Sequence, residues 1–213
     1  LAGKPHLFGA DYSVYVRIAR LALLEKGVDH ELVPVDIFAD GGVADWYLAH
    51  HPFRRIPAFE HGDLRLFETA AITRYVDEAF SGPPLQPQDA ARRAVMNQII
   101  GLLDAYAYRA LVWGVYVERV SKPQQGKMPD EALIAASLET ARTCLSTLTR
   151  LQDGHAFLTG DAPSLADLHA APILAYFTLA PEGAALLADY PALGRWWTGL
   201  TARPAFRATE PTG

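Results

Sequence analysis

Between Ser81 and Pro87 the chain reads Ser-Gly-Pro-Pro-Leu-Gln-Pro, and no regular element runs through such a stretch. Each proline fixes φ and removes an amide donor, so three of them with a glycine stop a helix and interrupt a ladder. The two sides of this break differ in kind. Before it, short strand patterns alternate with helical ones. His6-Leu7-Phe8 is an apolar strand, and Gly9 to Ser13 is rich in turn formers. From Val14 to Lys26 apolar residues recur at helical spacing (Val16, Ala19, Leu23), with Gly27 as the stop. Glu31 to Val35 alternates as a strand, and Val43 to Ala49 is a short helix. Pro57 opens a third strand, Gly62-Asp63 turns it, Leu64 to Phe67 returns, and a helix runs from Glu68 to about Phe80. The order β-α-β-α-β-β-α gives a parallel crossover followed by an antiparallel hairpin.

Beyond the break no strand pattern is convincing. Asp89 to about Val120 reads as one long helix, interrupted by Lys122 to Gly126, and Asp130 to Gln152 as the next. Ser164-Leu165-Ala166-Asp167 has the form of a capping box and opens a third. Glu182 to Leu187 and Ala192 to Ala202 are shorter helices. The expected organisation is an α/β domain over residues 1–80, a linker over 81–88 and an all-α domain over 89–213.

Composition narrows the function classes. Half of the 213 residues are hydrophobic and 20% are charged, which is a globular balance. A net charge of -5 argues against nucleic acid as a main partner. No apolar run approaches the ~20 residues of a membrane span, and the start, Leu1-Ala2-Gly3-Lys4-Pro5, has no apolar signal core. The lack of an initiator Met points to a processed or trimmed chain. Cys144 is the single cysteine, so no internal disulfide forms and a cytoplasmic setting is expected. The seven histidines show no metal-ligand spacing.

The segment with most chemical content runs from Pro52 to Ile72. A proline at the start of a strand lacks a ladder donor and is a candidate for a cis bond, here Ile56-Pro57. A cis bond would turn the Ile56 backbone toward an extended peptide. Glu68 and Thr69 fall at a helix N-terminus, where free N–H groups attract a carboxylate. Together these make a receptor for a short peptide with an acidic end.

Ordered along the chain, the motifs resemble those of the soluble glutathione transferases, in a bacterial-like, serine-type form. They are Leu7-Phe8-Gly9 followed by Ser13; Glu25-Lys26-Gly27-Val28; Pro52-Phe53 to Ile56-Pro57-Ala58-Phe59; Gly62-Asp63-Leu64 through Leu66-Phe67-Glu68-Thr69-Ala70-Ala71-Ile72; Thr159-Gly160-Asp161 through Ser164 to Leu168; and Tyr190-Pro191 to Trp196-Trp197 with Arg203-Pro204. The resemblance covers almost the whole chain and implies a thioredoxin-like N-terminal domain followed by an all-helical one. Departures are specific. The Asn usual before Pro52 is His51, the Gly usual after Phe53 is Arg54, and the Ser usual after the Glu is Thr69, which keeps a hydroxyl. The loop Asp40-Gly41-Gly42-Val43 carries no cation where several serine-type members have one, leaving Arg54 and Arg55 to supply the charge.

The resemblance implies roles. Ser13 donates a hydrogen bond to the glutathione sulfur; from spacing alone it reads first as a helix N-cap. Tyr12 is the rival donor, or a wall of the second-substrate pocket. Glu68 takes the γ-glutamyl amino group, and Thr69 with the helix N–H groups takes the α-carboxylate. Ile56, ahead of Pro57, pairs through its backbone with the cysteinyl residue. Arg55 reaches the glycine carboxylate or stays solvated. The second substrate, a small hydrophobic electrophile, is expected between the domains against Tyr108, Arg109, Val112 and Tyr116; Tyr108, Val112 and Tyr116, spaced by four, read equally as core or dimer contact. Cys144, among Leu138, Leu145 and Leu148, reads as inert core.

The expected protein is therefore a homodimeric, cytoplasmic detoxification transferase that uses glutathione as co-substrate and no metal. Two alternatives stay open: a glutathione-dependent isomerase of a small unsaturated acid, and a non-enzymatic binding module of the same fold.

Overall fold

The computed structural model describes residues 3–40 and 42–211. Contacts divide the chain into two units, one of Leu1–Gln86 with Arg203–Gly213 and one of Pro87–Ala202.

The first unit is built on a four-stranded sheet of β1 (His6–Gly9), β2 (Glu31–Pro34), β3 (Ala58–His61) and β4 (Leu64–Phe67), in the order β2-β1-β3-β4. β1 and β2 are parallel, with Leu7 opposite Leu32; β3 runs antiparallel to both β1 and β4. The crossover is helix α1 (Val14–Glu25), whose Val16, Ile18, Ala19 and Leu23 are fully buried. Removing each such aliphatic side chain from water contributes about 1.5–3 kcal/mol, alanine less. Gly9 permits this packing: a Cβ there would lie 2.3 Å from Val16 Cγ2. The short helix between β2 and β3 is a 3-10 turn over Asp45–Ala49, with no side-chain cap, and so begins later than the sequence pattern indicates. The Ile56–Pro57 peptide bond is cis. Helix α2 (Thr69–Ala79) follows β4 directly.

A buried ion pair ties the proline-rich stretch to this unit. Lys26 Nζ donates to Asp77 at 3.0 Å and to the Pro83 carbonyl at 3.1 Å, while Asp77 also accepts from the Leu85 N–H and from Gln86. The sequence reading runs the helical domain to residue 213, whereas the segment from Arg203 packs here. Arg203 forks onto Glu25 at 2.8 and 2.6 Å, and the buried Arg17 reaches Thr209 and the Phe206 carbonyl. That segment includes the short last helix of the chain's described residues, α9 (Pro204–Ala208).

In the second unit, α3 (Ala90–Leu102), capped by Asp89, continues without a backbone break into a π-helical segment, Leu103–Ser121, and then α4 (Lys122–Gln124). The interruption expected at Lys122 falls later. Pro123 forfeits one amide donor but fits helical φ, and the chain turns only at Gly126, with φ 71. α5 (Glu131–Gln152), capped by Asp130, packs along the π segment, and α6 (Leu165–Phe177), α7 (Pro181–Ala188) and α8 (Pro191–Thr201) complete the unit ahead of α9. The capping-box residue Asp167 is fully buried. It accepts from the Leu158 N–H at 2.8 Å, the Ser164 N–H and hydroxyl at 2.7 Å each, and Trp196 Nε1 at 2.8 Å.

Candidate active site

Ser13 caps α1. Its backbone is extended (φ -75, ψ 126) and its Oγ accepts the Val16 N–H at 3.4 Å. A hydroxyl has one donor and two acceptor positions, so the cap uses a lone pair and leaves the proton. Capping and donation to a sulfur are therefore compatible, and the positive end of α1 lies at the same atom. Tyr12 is different. Its hydroxyl donates to Asp36 Oδ1 at 2.8 Å, which uses its one proton. Burial and then this bond push its pKa well above the ordinary tyrosine value. Asp36 is held below the usual carboxylate range, first by the Phe38 N–H and then by Tyr12.

Thirty or more residues on, the loop before β3 and the start of α2 present unpaired backbone groups. Among the described residues, neither the N–H nor the carbonyl of Ile56 makes a hydrogen bond, although its side chain is buried. Pro57 is buried next to it. At α2 the Glu68 carbonyl accepts from both Ala71 and Ile72, while the N–H groups of Thr69 and Ala70 have no acceptor among the described residues. Glu68 itself is exposed and sits at φ 70, ψ 112, a region a non-glycine residue occupies only at a cost of order 1–3 kcal/mol. Thr69 is buried. Arg55 is exposed, with its carbonyl taken by the Tyr47 hydroxyl at 2.8 Å. Arg54, at φ 55, lies 3.8 Å from Asp45. His51 is buried against Phe67, with ring centroids 5.1 Å apart, and its Nδ1 has no hydrogen-bond partner among the described residues. In the loop before the 3-10 turn, Gly41 lies outside the described residues.

The second-substrate candidates of the helical unit differ in burial and surroundings. Val112 is buried, Tyr108 is half-buried, and Tyr116 packs on Tyr176 at 4.6 Å with its pKa raised by burial. Arg109 instead lines a groove of about 480 Å³ with Tyr106, Trp113, Leu133, Ser137 and Thr140. Cys144 is buried and its thiol is pushed up to about 11 by desolvation, which suits core and not a nucleophile. Among the described residues no group of three His, Cys, Asp or Glu side chains is placed to hold a metal, and no helix is long and apolar enough to cross a membrane.

Sequence reasoning missed Asp36, the Ala70 N–H and the strained Glu68 backbone. Only the Ala70 N–H had a signal, as the next amide of the helix start already singled out.

The first unit thus has the thioredoxin-like βαβαββα order and, among the described residues, leaves backbone groups at Ile56 and at the start of α2 unpaired, a surface suited to an extended peptide with a carboxylate, and an all-helical unit follows it. Family comparison is consistent with it. Residues 7–84 match the glutathione S-transferase N-terminal domain and residues 101–204 the C-terminal domain. The chain is 32% identical over 207 residues to glutathione S-transferase F13 of Arabidopsis thaliana, covering 96% of this chain and 94% of that one. Glutathione transferase F7 of Populus trichocarpa superposes with a TM-score of 0.84 at 31% identity, over 96% of this chain and 97% of that one. Glutathione S-transferase I from maize, solved with an atrazine glutathione conjugate, gives a TM-score of 0.85 at 28% identity, over 98% and 97%. The chain belongs to the glutathione S-transferase family.

Proposed function

We propose that this protein adds the glutathione thiolate to small hydrophobic electrophiles, with Ser13 holding the sulfur. The observation that carries the reading is the Ser13 hydroxyl at the start of α1, whose oxygen is used as a cap while its proton has no acceptor among the described residues. A free thiol titrates near ~8.5. One donated hydrogen bond and a helix N-terminus stabilise the thiolate and lower that value by about a unit or more. The serine-type assignment rests on this residue; the relatives described above are plant proteins and lend no support to a bacterial-like placement.

The rest of glutathione is assigned from chemistry. The unpaired Ile56 backbone, beside Pro57, suits the cysteinyl amide. The free N–H groups of Thr69 and Ala70 suit the γ-glutamyl carboxylate, and the exposed Glu68 its ammonium. Arg55, exposed and outside any ion pair among the described residues, is the cation for the glycine carboxylate. Tyr12, Tyr108, Val112 and Tyr116 remain the candidate contacts for the electrophile, Arg109 lining the groove on the helical unit instead, and Tyr12 contributes its ring, since its proton is committed to Asp36. The conjugate bound to the maize relative supports a site of this kind.

A homodimer is part of the proposal. Phe53 is 68% exposed, and the groove on the helical unit exposes Tyr106 and Trp113, apolar surface that a partner would cover. The lone buried thiol suits a cytoplasmic setting.

Calorimetric titration with reduced glutathione and with S-methylglutathione tests the reading. Both should bind at micromolar to low-millimolar concentration, with proton release for the thiol alone. No binding at several millimolar would favour a binding module without thiol chemistry.

A further inference from the structure

We propose that Arg54 and Arg55, side by side ahead of Ile56, form a two-cation subsite that favours thiol peptides with a second carboxylate in the third residue, an aspartate or glutamate in place of the glycine of glutathione. The inference rests on the transferase reading above and names the thiol co-substrates that the same site prefers.

The sheet register sets which end of a bound peptide meets the two arginines. Ala58 of β3 lies opposite Phe67 of β4. Continued by one step, that antiparallel register brings Pro57 beside Glu68 and the free N–H groups of Thr69 and Ala70. A γ-glutamyl group held there lies on the Pro57 side of Ile56. A cysteinyl residue paired with the Ile56 backbone then sends the third residue the other way. Arg55 and Arg54 follow on that side, one and two Cα steps of about 3.8 Å away.

Charge sets the preference. Both arginines are exposed, and among the described residues Arg55 forms no ion pair. Arg54 has Asp45 alone, at 3.8 Å, which is beyond hydrogen-bond length, and the Asp45 side chain is 93% exposed. The backbone of Arg54 is unusual as well. Its N–H closes a turn onto the His51 carbonyl at 3.0 Å, and its φ is 55. Glycine holds that conformation freely, whereas arginine does so at a cost that no short polar side chain offsets. The glycine of glutathione brings one carboxylate to this end, and one guanidinium takes it in a bidentate fork. The other guanidinium is left with Asp45. A side-chain carboxylate on the third residue of the peptide supplies the missing anion.

The test is calorimetry on the full chain with three S-methylated peptides: glutathione, γ-glutamyl-cysteinyl-glutamate and γ-glutamyl-cysteinyl-glutamine. The last two differ in charge and hardly in size, so the ratio of their affinities reports the second carboxylate alone. An exposed ion pair corresponds to about a two- to fivefold change in affinity. The glutamate peptide should bind tighter than the glutamine peptide by that factor at low salt, and the advantage should shrink at 1 M salt, where the screening length is about 3 Å. Arg54→Gln should abolish the advantage and Arg54→Lys should keep part of it. Arg54→Gly should also abolish it while raising the urea midpoint, a pairing of opposite effects that damage to the loop would not give. Equal binding of the two peptides by the unmodified protein would overturn the proposal, as would an advantage that survives Arg54→Gln. A parallel loss of all three ligands in Arg54→Gln would overturn it too, by showing that Arg54 holds the carboxylate common to them. Failure of the unmodified protein to bind S-methylglutathione would instead remove the transferase reading, and the subsite with it.

Discussion

Asp167 is the side chain whose removal should cost the helical unit most. It is fully buried and accepts four hydrogen bonds, two from backbone N–H groups, one from the Ser164 hydroxyl and one from Trp196 Nε1. In Asp167→Ala the hydroxyl rotates to a new acceptor, but the Leu158 and Ser164 amides and the indole are fixed. Each stranded donor costs about 1–3 kcal/mol, and local relaxation favours the low end. With the lost helix cap the expected total is about 4 kcal/mol, a large part of the 5–15 kcal/mol typical of a folded domain. The series should be graded. Trp196→Phe removes one donor and some volume, for about 2 kcal/mol, and Asp167→Asn sets an amide nitrogen against one pair of donors, for about 2–3 kcal/mol. Urea unfolding followed by circular dichroism reads these as midpoint shifts, and thermal midpoints should fall by about 2–4 °C per kcal/mol. A cost under about 1 kcal/mol for Asp167→Ala, or a Trp196→Phe cost as large as the alanine's, would refute the reasoning.

Other outcomes follow from single positions. Arg54 holds φ 55, and among the described residues its side chain makes only a long, exposed ion pair to Asp45, so Arg54→Gly should stabilise by about 1 kcal/mol, measured by urea midpoint, with glutathione affinity unchanged. Burial depresses the pKa values of His50 and His51 in the folded state. The unfolded chain then binds more protons below its own value of about 6.5, so stability is full above that pH and falls as pH drops through it. His51→Asn should flatten that fall, as read by thermal midpoints across the interval. A Cβ on Gly114 would lie 2.0 Å from Ser137 Oγ and 2.7 Å from its Cβ. Gly114→Ala should therefore cost about 1–3 kcal/mol in urea, and Ser137→Gly in the same chain should recover part of it.

The sheet, α1, α2, the helix starts at Asp89, Asp130 and Ser164 and the hairpin at Gly62-Asp63 were legible because local signals and burial agree there: helical spacing, a capping oxygen, a glycine at a turn. The misplacements have local causes. Pro123 reads as a break although a proline fits helical φ, and Asp45–Ala49 lacks a side-chain cap to mark its start. The return of the chain from Arg203 depends on Glu25, Arg17 and Thr209, partners far apart in sequence that no local pattern connects. At the candidate site, Ser13, Ile56 and the start of α2 could be named from the order of residues. The positive φ values of Glu68 and Arg54 could not, because neither residue type asks for them. Nor could the Tyr12–Asp36 bond, which spans α1 and β2.

The most direct test of the account is the thiol pKa of bound glutathione, followed by thiolate ultraviolet absorbance against pH in the unmodified protein and in Ser13→Ala. The account predicts a value about one unit or more below the free thiol's ~8.5, restored toward 8.5 in Ser13→Ala while S-methylglutathione still binds. A bound thiol that titrates alike in both proteins would contradict the assignment of Ser13 as the group that holds the sulfur.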